Sequence, residues 1–375
     1  MRQPRIVVVD DDRHMLRAVE RVLNQDYEVI GTTNSKDALK LVRDFKPDLA
    51  ILDIRMPELD GFELMKQLKD IWPHLDVILM TGSVHEVDAQ LIRAIREKAF
   101  YFVQKPFDRE VLQTLVQRCL ELRRLNKENS HHVMLLQREI AEARAFQQSM
   151  LPKEQGRIGN VAVCARYIPC FELGGDLYDY SANPSSTAFL IADVSGHGAS
   201  AAMLTGIVKS AFHSAGADGY KPLSVVERVH SAIRAFGAER FITMVCVRWF
   251  PREARLEYVN AGHPPAIIWG QDSAPILIHA TGPLISSALP NIALWNEETL
   301  RLSNQDRLLL FTDGVLEVEG EDGFFGLERM MNEISKHPGG GTDLLDGILG
   351  SAQEFSGGRP LEDDFTLLTA NLANP

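Results

Sequence analysis

The chain has 375 residues, 45% hydrophobic and 24% charged, which suits two globular domains rather than one core. Its formal net charge of −12, with no Lys/Arg run to offset it, disfavours nucleic acid as a main partner. No apolar run approaches the roughly 20 residues a bilayer span needs, and none of the four cysteines (Cys119, Cys164, Cys170, Cys246) has C-x-x-C or zinc spacing, so they are expected as small buried hydrophobes.

The N-terminus enters an apolar strand without a small-residue cleavage site, so no signal peptide is expected and the location is read as cytoplasmic. Over the first 120 residues, strand candidates at Arg5–Val9, Tyr27–Ile30, Asp48–Leu52, Asp76–Met80 and Phe100–Gln104 alternate with amphipathic stretches. Five βα units predict a doubly wound parallel α/β sheet, whose chemistry lies beyond the carboxyl ends of its strands. Asp10, Asp11, Asp53, Thr81 and Lys105 stand at those ends. Asp53 can attack a phosphoryl donor to form an acyl phosphate. Asp10 and Asp11 can hold Mg²⁺, while Lys105 and Thr81 can meet phosphoryl oxygens. Asp12 makes the acidic turn a triple and leaves the register among the three acids open.

This stretch resembles the response-regulator receiver domain, CheY type, through VVVDDD (7–12), LDIRMPELDG (52–61), MTG (80–82) and KPF (105–107). The resemblance implies that Asp53 is the phosphoacceptor, fed by a histidine kinase. It implies Mg²⁺ held by Asp10, Asp11 and Asp53, with the Arg55 backbone carbonyl completing the site. The family's aromatic switch position falls on Phe102, which reads equally well as plain core.

From Asp108 to Pro152 the chain lacks Pro and Gly and is expected to stay helical, with residues 121–150 a coiled-coil linker. Val111, Leu115, Cys119, Leu122, Leu125, Val133, Leu136, Ile140, Ala143, Phe146 and Met150 recur at steps dominated by three and four. Such steps suit the seam of a parallel homodimer, the alternative being a helix packed on its own domains. Asn129 falls in the seam and helps set its register. His131 and His132 read as solvated surface.

In residues 151–375, strand-like runs are Val161–Ile168, Thr187–Val194, Phe241–Phe250, Arg255–Asn260, Ala266–Trp269, Arg307–Thr312 and Phe365–Ala370. Helical stretches are Ala199–Ser214, Leu223–Ala235, Leu327–Lys336 and Leu344–Phe355. Their grouping predicts an α+β domain of two sheets covered by helices. Asp176, Asp193, Asp313 and Asp363 each border an apolar run or a glycine turn. Carboxylates so placed suit hard divalent ions, and two such ions would activate a water for attack on phosphorus. His197 reads better as a turn residue than as a ligand.

This region resembles the PPM-type serine/threonine phosphatases of the RsbU/SpoIIE branch. The matching strings are AFQQSMLP (145–152), ELGGDLYDY (172–180), IADVSGHGASAAM (191–203), NAGHPPA (260–266), LLLFTDGVLE (309–317), FGLERM (325–330) and EDDFTLL (362–368). The resemblance implies two Mn²⁺ or Mg²⁺ ions bridged by Asp193, with the Val194 backbone carbonyl as a further ligand. Asp313 and Asp363 would hold the first metal and Asp176 would act near the second. Asp364 stands where many relatives have Asn, so it adds either ligand charge or only a hydrogen bond. Eukaryotic relatives hold phosphate with an arginine that this branch usually lacks and that Arg166 does not replace, and Phe324–Met330 resembles the family's flap. The whole then reads as a response regulator whose receiver controls a phosphatase acting on a phosphorylated STAS-type anti-sigma antagonist. The rivals are a phosphorylation-gated adaptor without catalysis, and a phosphatase for a different phosphoprotein.

Overall fold

The computed structural model describes residues 2–82, 100–237, 240–270, 274–290, 294–302 and 305–372. The chain divides into two compact units, Met1–Leu136 and Gln137–Pro375, and the division falls inside one 42-residue helix, Arg109–Met150.

In the first unit, β1 (Arg5–Val9), β2 (Glu28–Thr32), β3 (Leu49–Asp53), β4 (Asp76–Thr81) and β5 (Tyr101–Gln104) form one parallel sheet in the order β2-β1-β3-β4-β5. Helices α1 (Arg13–Leu23), α2 (Ser35–Phe45) and α3 (Gly61–Ile71) intervene, and α4 is the long helix Arg109–Met150. The amphipathic stretch expected between β4 and β5 lies outside the described residues. Successive strand residues point to opposite faces. Val7, Val9, Ala50, Leu52, Val77 and Leu79 pack on α2 and α3. Ile6, Val8, Leu49, Ile51, Ile78 and Met80 pack on α1 and on Leu112, Val116 and Cys119 of α4. With both faces covered, these strands read as unbroken apolar runs.

One seam expectation needs correcting. Cys119 is fully buried against the first unit's sheet, and burial pushes its thiol up to about 12. Its place is the receiver core, because Leu112, Val116 and Cys119 make one α4 stripe facing β4 and β5. Farther along α4, Leu122, Leu125, Val133, Leu136, Ile140 and Phe146 are exposed, as is Val111 near its start. No helix among the described residues is long and apolar enough to cross a membrane.

The second unit is a two-sheet sandwich. Its strands are β6 (Gln155–Ile158), β7 (Val161–Ile168), β8 (Asp176–Ala182), β9 (Thr187–Val194), β10 (Phe241–Phe250), β11 (Arg255–Ala261), β12 (Ala266–Trp269), β13 (Ile276–Ile278), β14 (Ile285–Ser286), β15 (Glu298–Arg301), β16 (Arg307–Phe311), β17 (Glu319–Gly320), β18 (Gly323–Phe324) and β19 (Phe365–Asn371). One sheet runs β15-β11-β10-β9-β8, with β14 pairing β10; the other runs β13-β12-β16-β19-β7-β6. The hairpin β17–β18 stands apart. Its helices are α5 (Ala199–Ser214), α6 (Pro222–Phe236), α7 (Asp313–Leu316), α8 (Gly326–Lys336) and α9 (Gly341–Phe355).

The pleat sorts the side chains into three cores. Leu177, Leu190, Ala192, Val194, Met244 and Cys246 face α5 and α6. Ile267, Leu309, Phe311, Phe365 and Leu367 face α8 and α9. Between the sheets lie Val163, Tyr178, Phe189, Ile191, Val245, Val247, Trp249, Leu308, Leu310 and Leu368. Each large side chain buried this way contributes roughly 1.5–3 kcal/mol. The result is a helix–sheet–sheet–helix stack, and it matches the expected α+β architecture.

Candidate functional site

Two acidic sites form, one in each unit. In the receiver, Asp10 follows β1, Asp53 closes β3, Thr81 closes β4 and Lys105 follows β5. The parallel register pairs Val9 with Leu52, Asp53 with Met80 and Thr81 with Gln104, so all five predicted residues share one sheet edge. Carboxylate oxygens of Asp10, Asp11 and Asp53 lie within 4.8 Å of one another. Lys105 Nζ reaches Asp10 at 2.6 Å and Asp53 at 3.0 Å. Burial raises both carboxyls and Lys105 lowers them. The Asp12 side chain instead accepts from His14 N and caps α1. Asp10, Asp11 and Asp53 are three hard oxygen donors with one open, exposed member, Asp11, which fits a divalent cation. Phe102 is half-buried against the same core as Leu79 and Phe62.

The second site lies at one end of the inter-sheet core. There the inward-facing apolar stripes all change character. Phe189 and Ile191 lead to Asp193, Tyr178 leads to Asp176, and Val247 and Val245 lead to Thr243. From the other sheet, Leu308 and Leu310 lead to Thr312, while Ala370 and Leu368 lead to Thr366. A period of two keeps every one of these residues between the sheets. Asp193 is register partner to Asp176 on one side and to Thr243 on the other.

Asp176 is tied across the gap. Its Oδ2 accepts from Thr312 Oγ1 at 2.8 Å and from Thr366 Oγ1. Asp364 accepts from the backbone N–H groups of Cys170, Gly175 and Asp176 at 2.8, 2.7 and 3.3 Å, so it holds the Gly-Gly-Asp turn. Gly175 is required there, since a Cβ would collide with the Val194 carbonyl oxygen. After Val194, Gly196 and Gly198 take φ of 77° and 85°, which turns the chain sharply into α5. Asp313 opens α7, and Gly314 N–H donates to its Oδ1 at 3.1 Å.

The charges in this site are mutually unfavourable. Burial, then Asp313, Asp363, Asp364 and Glu317, push Asp193 up to about 7. Asp176 is raised by complete burial and by Asp193, and the two threonines partly offset this. Asp313 is raised by burial and Glu317, and Asp363 by burial and Asp313. The Asp364 backbone N–H and then His197, which stacks on Phe171 at 3.9 Å between ring centroids, lower Asp363. A set of hard oxygen donors that repel one another fits divalent cations. The gathering is broader than the receiver's: among the described residues, only Asp10, Asp11 and Asp53 bring three ligand atoms within 4.8 Å.

The remaining sequence candidates fall elsewhere. Arg166 is held by Asp346 at 2.8 Å and Glu154 at 3.5 Å, so it is engaged outside the acid site. Sequence reasoning missed Thr243, Thr312 and Thr366, whose only signal is a hydroxyl at the inward position ending an apolar stripe. It also missed the function of Gln147 as a clasp. This buried side chain donates to Gly174 O at 2.8 Å and accepts from Gly174 N at 3.3 Å.

The family model described as Stage II sporulation protein E (SpoIIE) matches residues 183–373. The chain belongs to the SpoIIE family. The response regulator receiver domain model matches residues 6–117, so this SpoIIE-family chain carries a receiver domain ahead of its sandwich. Phosphoserine phosphatase RsbP of Bacillus subtilis (strain 168) is 30% identical over 235 residues, 60% of this chain and 56% of that protein. Regulatory protein AtoC of Escherichia coli (strain K12) is 38% identical over 128 residues, 34% of this chain and 27% of that protein. The chain thus spans from about a quarter to just over half the length of these two curated relatives. The SiaA-PP2C domain of Pseudomonas aeruginosa superposes with a TM-score of 0.55 at 19% identity, over 64% of this chain and 98% of that one, a likeness of fold.

Proposed function

We propose that the chain is a response regulator whose receiver, phosphorylated on Asp53, controls a metal-dependent serine/threonine phosphatase. The observation that carries this reading is the end of the sandwich, where inward stripes from both sheets give way to Asp176, Asp193, Thr312 and Thr366. The likeness to RsbP, named a phosphoserine phosphatase, supports it. Asp193, Asp313, Asp363, Asp176 and the Val194 carbonyl would hold two Mn²⁺ or Mg²⁺ ions. When bound, such ions supply a deprotonated water and withdraw charge from the phosphoryl group. The chain's own residues fix that geometry. Thr312 and Thr366 orient Asp176, and Asp364 holds the turn that presents it.

In the receiver, Asp10, Asp11, Asp53 and the Arg55 carbonyl would hold Mg²⁺. Asp53 Oδ attacks the phosphorus of a phosphohistidine or acyl phosphate, and the donor leaves with its electron pair. Lys105 and Thr81 then meet the phosphoryl oxygens. The donor partner is a histidine kinase or phosphotransfer protein, and the substrate is a phosphorylated STAS-type anti-sigma antagonist. The exposed stripe of α4 supports a parallel homodimer, and the domains are taken as 1–120, 121–150 and 151–375. The setting is cytoplasmic, without nucleic acid or membrane.

Purified chain with Mn²⁺, offered p-nitrophenyl phosphate and then a phosphorylated STAS protein, tests the reading. Hydrolysis of both, lost in Asp193→Ala and altered by an acyl-phosphate donor in wild type but not in Asp53→Asn, is expected. No hydrolysis at saturating Mn²⁺ or Mg²⁺ refutes catalysis and leaves an adaptor.

A further inference from the structure

A polar bridge crosses the sandwich beside the acids and takes no part in the hydrolysis proposed above. His263 lies in the loop after β11, buried. Its Nε2 is 3.1 Å from the Phe311 carbonyl oxygen and its Nδ1 is 2.7 Å from Thr243 Oγ1. A carbonyl oxygen only accepts, so Nε2 carries the proton; in a neutral ring Nδ1 then accepts from the Thr243 hydroxyl. Burial favours that neutral ring.

The ring cannot swing away. Asn260, the inward residue that ends the stripe Leu256–Tyr258, fastens its loop. Asn260 Oδ1 accepts from His263 N at 2.8 Å, and its Nδ2 donates to the carbonyls of His263, Pro264 and Ile278 at 3.1, 3.4 and 3.3 Å.

Both ends of the bridge stand one step from the acids. Thr243 is the cross-strand partner of Asp193, in one sheet. Phe311 ends β16 in the other sheet; the next residue, Thr312, bonds Asp176, and the one after is Asp313. We propose that His263 is a positioning residue that sets the spacing of Asp193 against Asp176 and Asp313 across the two sheets, at the separation the divalent cations need. The proposal rests on the metal-dependent reading given above. A histidine suits the role because its two nitrogens serve an acceptor and a donor at opposite ends of a rigid ring, which no aliphatic side chain does.

The test compares full-length wild type, Thr243→Val, Thr243→Ser and His263→Gln by Mn²⁺ titration calorimetry, thermal melting under chelator, and steady-state kinetics on p-nitrophenyl phosphate. Thr243→Val keeps volume and removes only the hydroxyl. It is expected to weaken Mn²⁺ binding about tenfold, the scale seen when a group supporting a metal ligand is lost. At saturating Mn²⁺, kcat should fall while KM holds, and Thr243→Ser should restore both within about twofold. His263→Gln, which keeps a donor toward Phe311, should weaken Mn²⁺ binding and replaces Thr243→Val in the comparison if that variant does not fold. Wild-type Mn²⁺ affinity in the variants, with only a lowered melting temperature, would make the bridge purely structural and overturn the inference alone. Absence of any wild-type Mn²⁺ binding beyond that of the Asp193→Ala protein, which keeps the receiver site, would overturn both readings.

Discussion

Replacing Asp193 with Asn should stabilise the cation-free protein while destroying its activity. Burial and four neighbouring acids carry the Asp193 carboxyl from its ordinary 3.8 to about 7. At about 1.4 kcal/mol per pH unit this corresponds to roughly 4 kcal/mol. Solvent reaches this half-buried residue and trims the figure to about 3 kcal/mol. The folded chain keeps the proton to higher pH than the unfolded chain, so it binds more protons between about pH 4 and 7. Stability therefore falls as pH rises through that window, and the loss is complete above it. Asparagine has no charge to bury. Urea denaturation under chelator, followed by the fluorescence of Trp249, Trp269 and Trp295 in the second unit, should show a gap in favour of Asp193→Asn that widens from pH 5 to 7 and is flat beyond. Added Mn²⁺ should reverse the order, because only wild type gains binding free energy. A gap that is absent at pH 8, or the same at pH 5 and pH 8, would refute the account of the site as an unscreened acid cluster.

Gly175→Ala should abolish Mn²⁺ binding and cost a few kcal/mol, since the new methyl meets the Val194 carbonyl; calorimetry and denaturation check both. Gln147→Ala should lower kcat several-fold and cost about 1–2 kcal/mol, because both backbone groups of Gly174 lose their partner; steady-state kinetics and urea midpoints decide. Asp53→Asn should prevent covalent labelling by an acyl-phosphate donor, seen as the absence of a mass increase on the intact chain. Chelation should lower the melting temperature of the separately observed second unit more than that of the receiver, measured by calorimetry on the full chain.

Much of this architecture is legible in the sequence because both faces of most strands are covered. Val161–Ile168, Thr187–Val194, Phe241–Phe250 and Ala266–Trp269 appear with the expected bounds, as does the helix Ala199–Ser214. β8 was not legible. Its sequence, DLYDYSA, carries two acids that argue against a buried strand. Asp179 is buried only because Lys209 and His213 reach it at 2.5 and 2.9 Å from α5, a pairing that no local pattern announces. The short strands β6, β13, β14 and β15 sit at sheet margins and bury too little to leave a period. The receiver constellation was readable because each residue ends a strand of a parallel sheet, a place the topology dictates. The supporting threonines were not, because threonine is an ordinary strand residue and only the facing sheet shows what its hydroxyl touches.

The two acidic sites solve the same electrostatic problem differently, and that difference bears on what each can do. In the receiver, Lys105 stands within 3.0 Å of both Asp10 and Asp53, so the buried carboxylates have a covalently attached counter-charge. That counter-charge offsets the two carboxylates directly. At the end of the sandwich no lysine or arginine among the described residues forms an ion pair with Asp176, Asp193, Asp313 or Asp363, which burial and neighbouring acids raise. Asp176, Asp313 and Asp363 are held instead by neutral groups: Thr312 and Thr366 on Asp176, and backbone N–H groups on Asp313 and Asp363. Neutral tethers fix geometry without cancelling charge. The charge is left for a mobile cation to cancel, so small changes in the spacing of the tethers change cation affinity steeply.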